Sequence, residues 1–264
     1  MNERGVVVDP QEVQTAIARY YDADTQHEWE RATRHPTEFA VTRRALAQHL
    51  PPPPARVLDC GGGPGRYAIE LAQQGYQVTL FDLSPGNLAL ARSNVAEAGV
   101  TLTAIEQGTA TDLSRFADDS FDAVLLMGPL YHLLTEAERR QAIAEARRVL
   151  KPGGPLFAAF IARYAAHSDA ATKFLLEPVE RPGLYERIEE TGLLPPGENE
   201  GFAAYFARAE EAAGLCWDAG LEVRALLNVE GLVAGKEHYG LNQLTGAAWA
   251  WWEELNWRLA AEPA

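Results

Sequence analysis

Cysteine is scarce: Cys60 and Cys216 are the two thiols in 264 residues, in no CxxC or metal-ligand spacing. That leaves no disulfide framework and no thiolate metal site, and it fits a reducing cytoplasm, where the protein is expected to reside. No metal is expected. Cys60 reads as a small filler at a tight turn. Long apolar runs are missing too. None approaches the roughly 20 residues that a membrane span needs, and the start, "MNERGVVVDP", holds a three-valine run rather than a secretion signal. A membrane partner is therefore not expected. Basic charge is short as well: 23 Lys and Arg against 37 Asp and Glu leave a net charge of −14. Such a surface repels a phosphate backbone, so nucleic acid is not an expected partner. Arg43-Arg44, Arg139-Arg140 and Arg147-Arg148 are isolated pairs that read as solvated helix faces.

The rest suits one globular α/β domain with an elaboration. Residues 11–50 read as helical, and Pro51-Pro52-Pro53-Pro54 reads as a stiff spacer behind them. Strands are then expected over 55–59, 77–82, 100–105, 121–127 and 156–161, with helices over 65–74, 85–99 and 135–150. Gly75 stops the first of these helices. Ser84-Pro85 caps the second, and Thr135 with Glu138 forms a capping box on the third. The alternation predicts a doubly wound, mostly parallel sheet of Rossmann-like type. Residues 163–200 read as irregular, 203–219 as helix, 221–229 as strand, and the tryptophan-rich end as helix. The expected organisation is an N-terminal helical segment with its proline linker (1–54), a nucleotide-binding core (55–162), a cap insertion (163–202), and the end of the sheet plus a helix (203–264).

The stretch "VLDCGGGPGRYAIELA" joins strand to glycine loop to helix. A dinucleotide loop needs G-x-G-x-x-G, but the glycines fall at Gly61, Gly63 and Gly65, and the sixth position is Arg66. The Gly-Lys-Ser/Thr of a triphosphate loop is absent. A lone G-x-G-x-G says little. It says more with Asp59 before it, Asp82 closing the next strand, and further strands in rhythm.

Together "VLDCGGGPGRYAIELA", "YQVTLFDLS", "SFDAVLLMGPLYHL" and "EARRVLKPGG" resemble a class I S-adenosylmethionine-dependent methyltransferase of the small-molecule type. The resemblance covers residues 55–161 well. It implies S-adenosylmethionine as cofactor and S-adenosylhomocysteine as product. It also implies that Gly61, Gly62, Gly63 and Gly65 admit the cofactor's amino-acid end, and that Asp59 orders the loop or meets the ammonium. Asp82 would take both ribose hydroxyls and Leu83 would pack on adenine. Thr109 stands where the family usually has an acid, so the backbone of Ala110 would serve the adenine instead. Met127 and Gly128 would lie beside the sulfonium, and Tyr21 would close over the methionine part.

Methyl transfer from a sulfonium is an in-line displacement, in which the protein aligns a nucleophile and excludes water. His132, leaving the fourth strand, is the candidate base; hydrogen bonding within its loop is the alternative. Trp29, Arg31, Tyr131, Arg163, His167 and Tyr205 are expected to line an aromatic, cationic pocket for a small acceptor. No final pair of strands follows residues 221–229, so an open sheet edge would invite a homodimer. Two rivals keep the fold: another reaction of the same cofactor, or a non-catalytic binding module.

Overall fold

The computed structural model describes residues 9–198, 201–234 and 240–261. Its centre is a five-stranded parallel sheet in the order β3-β2-β1-β4-β5. The strands are β1 Arg56–Cys60, β2 Gln77–Asp82, β3 Ala104–Gln107, β4 Ala123–Leu126 and β5 Leu156–Ala158. Side-chain alternation along each strand sorts the core into two layers. Val57, Val78, Leu80, Ala123 and Leu125 pack on helices α4 Pro36–His49, α5 Arg66–Gln73 and α6 Pro85–Glu97. Leu58, Cys60, Phe81, Val124 and Leu126 pack on α7 Glu136–Val149. Both faces of β1 and β4 are thus dry, which explains why β4 reads as an unbroken apolar run.

Local signals set the core helices. Ser84 accepts from the Asn87 amide and Pro85 opens α6. Thr135 and Glu138 form the expected capping box on α7. Register then fixes the functional edge. Asp59 pairs with Leu80 and Leu125, and Asp82 with Gln107, so both acids leave the sheet at its carboxyl edge.

Several expectations need correction. The N-terminal segment is not one helix but α1 Pro10–Ala23, α2 Thr25–Trp29, α3 Arg31–Arg34 and α4. The four prolines do not hold it off on a spacer: the Tyr76 hydroxyl donates to the Pro51 carbonyl, and Leu46 of α4 sits in the core. Residues 163–200 are largely helical, as α8 Ala165–Lys173, α9 Glu177–Glu180 and α10 Leu184–Thr191. Pro178 lies in the first turn of α9, where no helical amide bond is lost, and Pro182, Pro195 and Pro196 fall between elements. The expected helix over 203–219 begins as a strand, β8 Ala204–Ala207, before α11 Ala209–Asp218. Tertiary pairing overrides local helix preference there, because β8 lies between β6 Ile161–Ala162 and β7 Leu193–Leu194 in a second small sheet. That sheet straddles both expected borders of the cap. Residues 221–229 form no strand; they run extended and mostly exposed. The last helix, α12 Gly246–Leu259, packs on α4, where Arg44 covers the Trp257 ring at 4.7 Å.

Candidate active site

The glycine loop is a backbone cradle that side chains would fill. Gly61, Gly63 and Gly65 have φ of +78°, +54° and +89°, a region open mainly to glycine. A Cβ on Gly61 would lie 2.4 Å from Pro129 Cδ, and one on Gly62 would lie 2.5 Å from Asp59 Oδ2. A Cβ on Gly128 would meet the Gly61 carbonyl oxygen at 2.8 Å, so the ends of β1 and β4 touch backbone to backbone.

Two buried carboxyls serve this loop. Asp82 Oδ2 accepts from the Gly63 amide at 2.8 Å, and Oδ1 accepts from the Ser84 amide at 2.9 Å. The Asn87 side chain is a third donor, which leaves one of the carboxylate's four acceptor positions for a ligand. Burial pushes the Asp82 carboxyl up to about 6 against those two amides, which favour the charged form. Asp59 lies deeper. Its Oδ2 is buried with no hydrogen-bond partner. Burial, with the Asp82 charge, pushes it up to about 7.

The N-terminal helices close over this edge. Asp22, at the end of α1, accepts from the Ser84 hydroxyl at 2.5 Å and the Gly86 amide at 2.8 Å, clasping α1 to the start of α6. The Tyr21 ring packs in one apolar cluster with Leu83. Its hydroxyl meets His132 Nε2 at 2.8 Å, while His132 Nδ1 meets the Ala203 carbonyl at 2.7 Å. A carbonyl only accepts, so Nδ1 carries the proton and Tyr21 donates to Nε2. Both ring nitrogens are engaged, and burial lowers His132 to about 4. A histidine so placed is a weak base, which runs against its expected role; it ties lid, core and cap together. Glu28 of α2 lies over the loop, with its Cγ 3.8 Å from where a Gly63 Cβ would stand. Burial raises its carboxyl.

The comparisons with known proteins agree on what this geometry is. A family model described as a methyltransferase domain matches residues 57–154. A ubiquinone biosynthesis O-methyltransferase of Xanthomonas axonopodis pv. citri is 37% identical over 121 residues, 46% of this chain. One of Paracidovorax citrulli is 33% identical over 168 residues, 64% of this chain. The aligned stretches span 49% and 63% of those relatives' own lengths, so neither relative is matched over two thirds of itself. A solved SAM-dependent methyltransferase of Methanosarcina mazei superposes with a TM-score of 0.52 at 26% identity, over 66% of this chain and 82% of that one. Residues 57–154 form a class I S-adenosylmethionine-dependent methyltransferase domain.

The residues present in this methyltransferase domain suit its cofactor. The orphan Asp59 oxygen awaits a donor, the glycine cradle leaves room, and Asp82 offers an open acceptor position. Asn87 and Glu28 join the site without any motif to announce them. Asn87 lies beside Asp82 because Ser84 caps its helix; Glu28 arrives from a separate layer. Thr109 bonds locally to the Thr111 hydroxyl at 3.0 Å, Ala110 is buried against Leu113, and Asp112 accepts from the Ser114 amide. Half-buried Met127 packs toward the helical layer of α5 and α6, and Tyr131 stacks edge-on to His132 at 4.7 Å.

Other expected acceptor residues lie elsewhere. Arg163 is buried and donates to the Phe206 and Glu189 carbonyls and to Glu211. Tyr205 also donates to Glu211 and lies under Arg139 at 3.5 Å. His167 packs between Tyr164 and Tyr185. All three hold the cap together. Trp29 is covered by Arg66 of α5 at 3.7 Å. Arg139 is no solvated pair-mate of Arg140 but a buried strut that donates to the Leu133 carbonyl.

An open cleft of about 1060 Å³ lies outside the lid. Tyr21, Glu28, Arg31, Arg34, Tyr20 and Phe202 line it. At its edge His35, Glu38 and Glu230 bring ligand-type atoms within 4.8 Å of one another, but Arg31 already pairs with Glu38 at 2.8 Å. Among the described residues no helix is long and apolar enough to cross a membrane.

Proposed function

We propose that the chain moves the methyl group of S-adenosylmethionine to a small-molecule acceptor, releasing S-adenosylhomocysteine. The observation that carries this reading is Asp82, a buried carboxyl at the carboxyl edge of the sheet, held by the Gly63 and Ser84 amides and the Asn87 side chain with an acceptor position left for a ligand donor. The cofactor supplies an activated methyl on a sulfonium. The attacking atom forms its bond to that carbon as the carbon–sulfur bond breaks, and sulfur keeps the electron pair. The chain's part is alignment and exclusion of water. Tyr21 and Leu83 roof the site, while Gly128 and Met127 bring β4 beside it.

The acceptor's proton is assigned to Glu28. Burial makes its carboxyl a better base than an exposed one, while it makes His132 a worse one. The relatives named as O-methyltransferases favour an oxygen nucleophile. The acidic surface, at a net charge of −14, favours a metabolite over nucleic acid. The decisive experiment is calorimetric titration with S-adenosylmethionine and S-adenosylhomocysteine. Micromolar binding to the native chain that Asp82→Ala loses supports the reading. Absence of binding to the native chain refutes it.

A further inference from the structure

The cleft outside the lid reverses the charge of the molecule. The chain as a whole has 37 acidic residues to 23 basic ones. The cleft wall has Arg19, Arg31, Arg34 and Lys173 against Asp24 and Glu28. These cations come from three helices, α1, α3 and α8, and two of them, Arg19 and Arg34, have no carboxylate partner among the described residues.

The cleft lining also carries aromatic side chains. The Tyr20 ring lies 5.4 Å from Phe202 and 5.3 Å from Tyr21, in tilted and edge-on contacts. Tyr20 is 38% exposed. The hollow also leads to the chemistry, because Tyr21 contacts His132 and Glu28 lies over Gly63.

We propose that this cleft takes the acceptor as an organic anion, its carboxylate or phosphate held among Arg19, Arg31, Arg34 and Lys173 and its carbon skeleton against Tyr20 and Phe202. The proposal rests on the methyl-transfer reading for the identity of the ligand as acceptor, but not for the existence of the site. Arg31 already has Glu38 at 2.8 Å and Lys173 has Asp169 at 3.0 Å. Those partners hold Arg31 and Lys173 in place, and Arg19 and Arg34 are left as the cations without a carboxylate partner among the described residues. The guanidinium groups suit a two-oxygen anion, since each presents paired donors in a plane.

The test uses the full chain, alone and saturated with S-adenosylhomocysteine, and three probes: benzoate, phenyl phosphate and neutral benzyl alcohol. Binding is followed by calorimetry. At least one anion is expected to bind about tenfold more tightly than benzyl alcohol, and its rank against the other names the anion class. Arg34→Gln, and separately the double variant Arg19→Gln with Lys173→Gln, should each weaken that anion about fivefold or more and leave benzyl alcohol unchanged. Arg34 also donates to the His27 carbonyl, so the double variant, at two exposed positions, keeps the test valid if Arg34→Gln misfolds. Equal binding of all three probes, no saturable binding of either anion, or anion binding unmoved by the double variant would each overturn the proposal. Anion binding without any S-adenosylhomocysteine binding would leave the cleft standing and bring down the methyl-transfer reading instead.

Discussion

Asp59, Asp82 and His132 are buried together and pull stability in opposite directions with pH. An unfolded aspartate ionises near 3.9 and an unfolded histidine near 6.5. Folding raises Asp82 to about 6 and Asp59 to about 7, so the folded chain keeps two protons that the unfolded chain releases above pH 4. Those two groups make stability fall as pH rises towards 7. His132, lowered to about 4, makes it rise between pH 4 and 6.5 and offsets one of them. Each group contributes a slope of up to about 1.4 kcal/mol per pH unit within its window. The ligand-free chain is therefore expected to lose stability from pH 4 to 6. Asp82→Asn should flatten that loss and His132→Ala should steepen it, both measured by urea unfolding at several pH values. An ionised Asp82 accepts ribose hydroxyls without having to release a proton, so cofactor affinity should climb towards pH 6 and level off above it. Titration in buffers of different ionisation enthalpy checks the proton release. The two candidate bases separate by kinetics. Glu28→Gln should lower kcat by about a hundredfold with cofactor affinity nearly intact. Tyr21→Phe, which unpairs His132, should cost about 1 kcal/mol of stability and affect cofactor affinity and turnover together.

At the level of elements, the lid and the glycine loop make separate predictions. Gly62→Ala places a methyl 2.3 Å from Leu80 Cδ1, and overpacking of that kind costs about 2 kcal/mol; thermal unfolding measures it. Asp22→Ala opens the clasp between α1 and α6, and hydrogen exchange should rise across α1 and α2 while the sheet stays protected. What the sequence made legible follows the same division. The core strands, the glycine loop and the capping box of α7 are local patterns, and β2 lies over 77–82 as its apolar run implies. The cap did not declare itself. Pro178 at a helix start looks like a break, and "AYFA" looks helical until β6 and β7 flank it. Arg163, Tyr205 and His167 have the right chemistry for a pocket, but burial turned them to holding the cap. Asp22, Glu28 and Asn87 gain their roles only from partners remote in sequence or in layer, which no spacing encodes.

Over the whole molecule, the net charge is −14, yet Arg19, Arg31, Arg34 and Lys173 line one cleft. Turnover on an anionic acceptor is expected to fall as ionic strength rises and screening reaches the rim, whereas cofactor binding, made by buried groups, should change little. Steady-state assays across a salt series separate the two. The lid that lines this cleft has no hold of its own. Asp22 bonds to residues 62 and 64 positions onward, Tyr21 to one 111 positions onward, and Arg44 to Glu254, 210 positions onward. These helices are therefore expected to dock after the elements they bond to, and to settle late in folding. Pulsed hydrogen exchange during refolding should show α1 to α4 gaining protection after β1, β2 and β4; early protection of α1 would contradict that order.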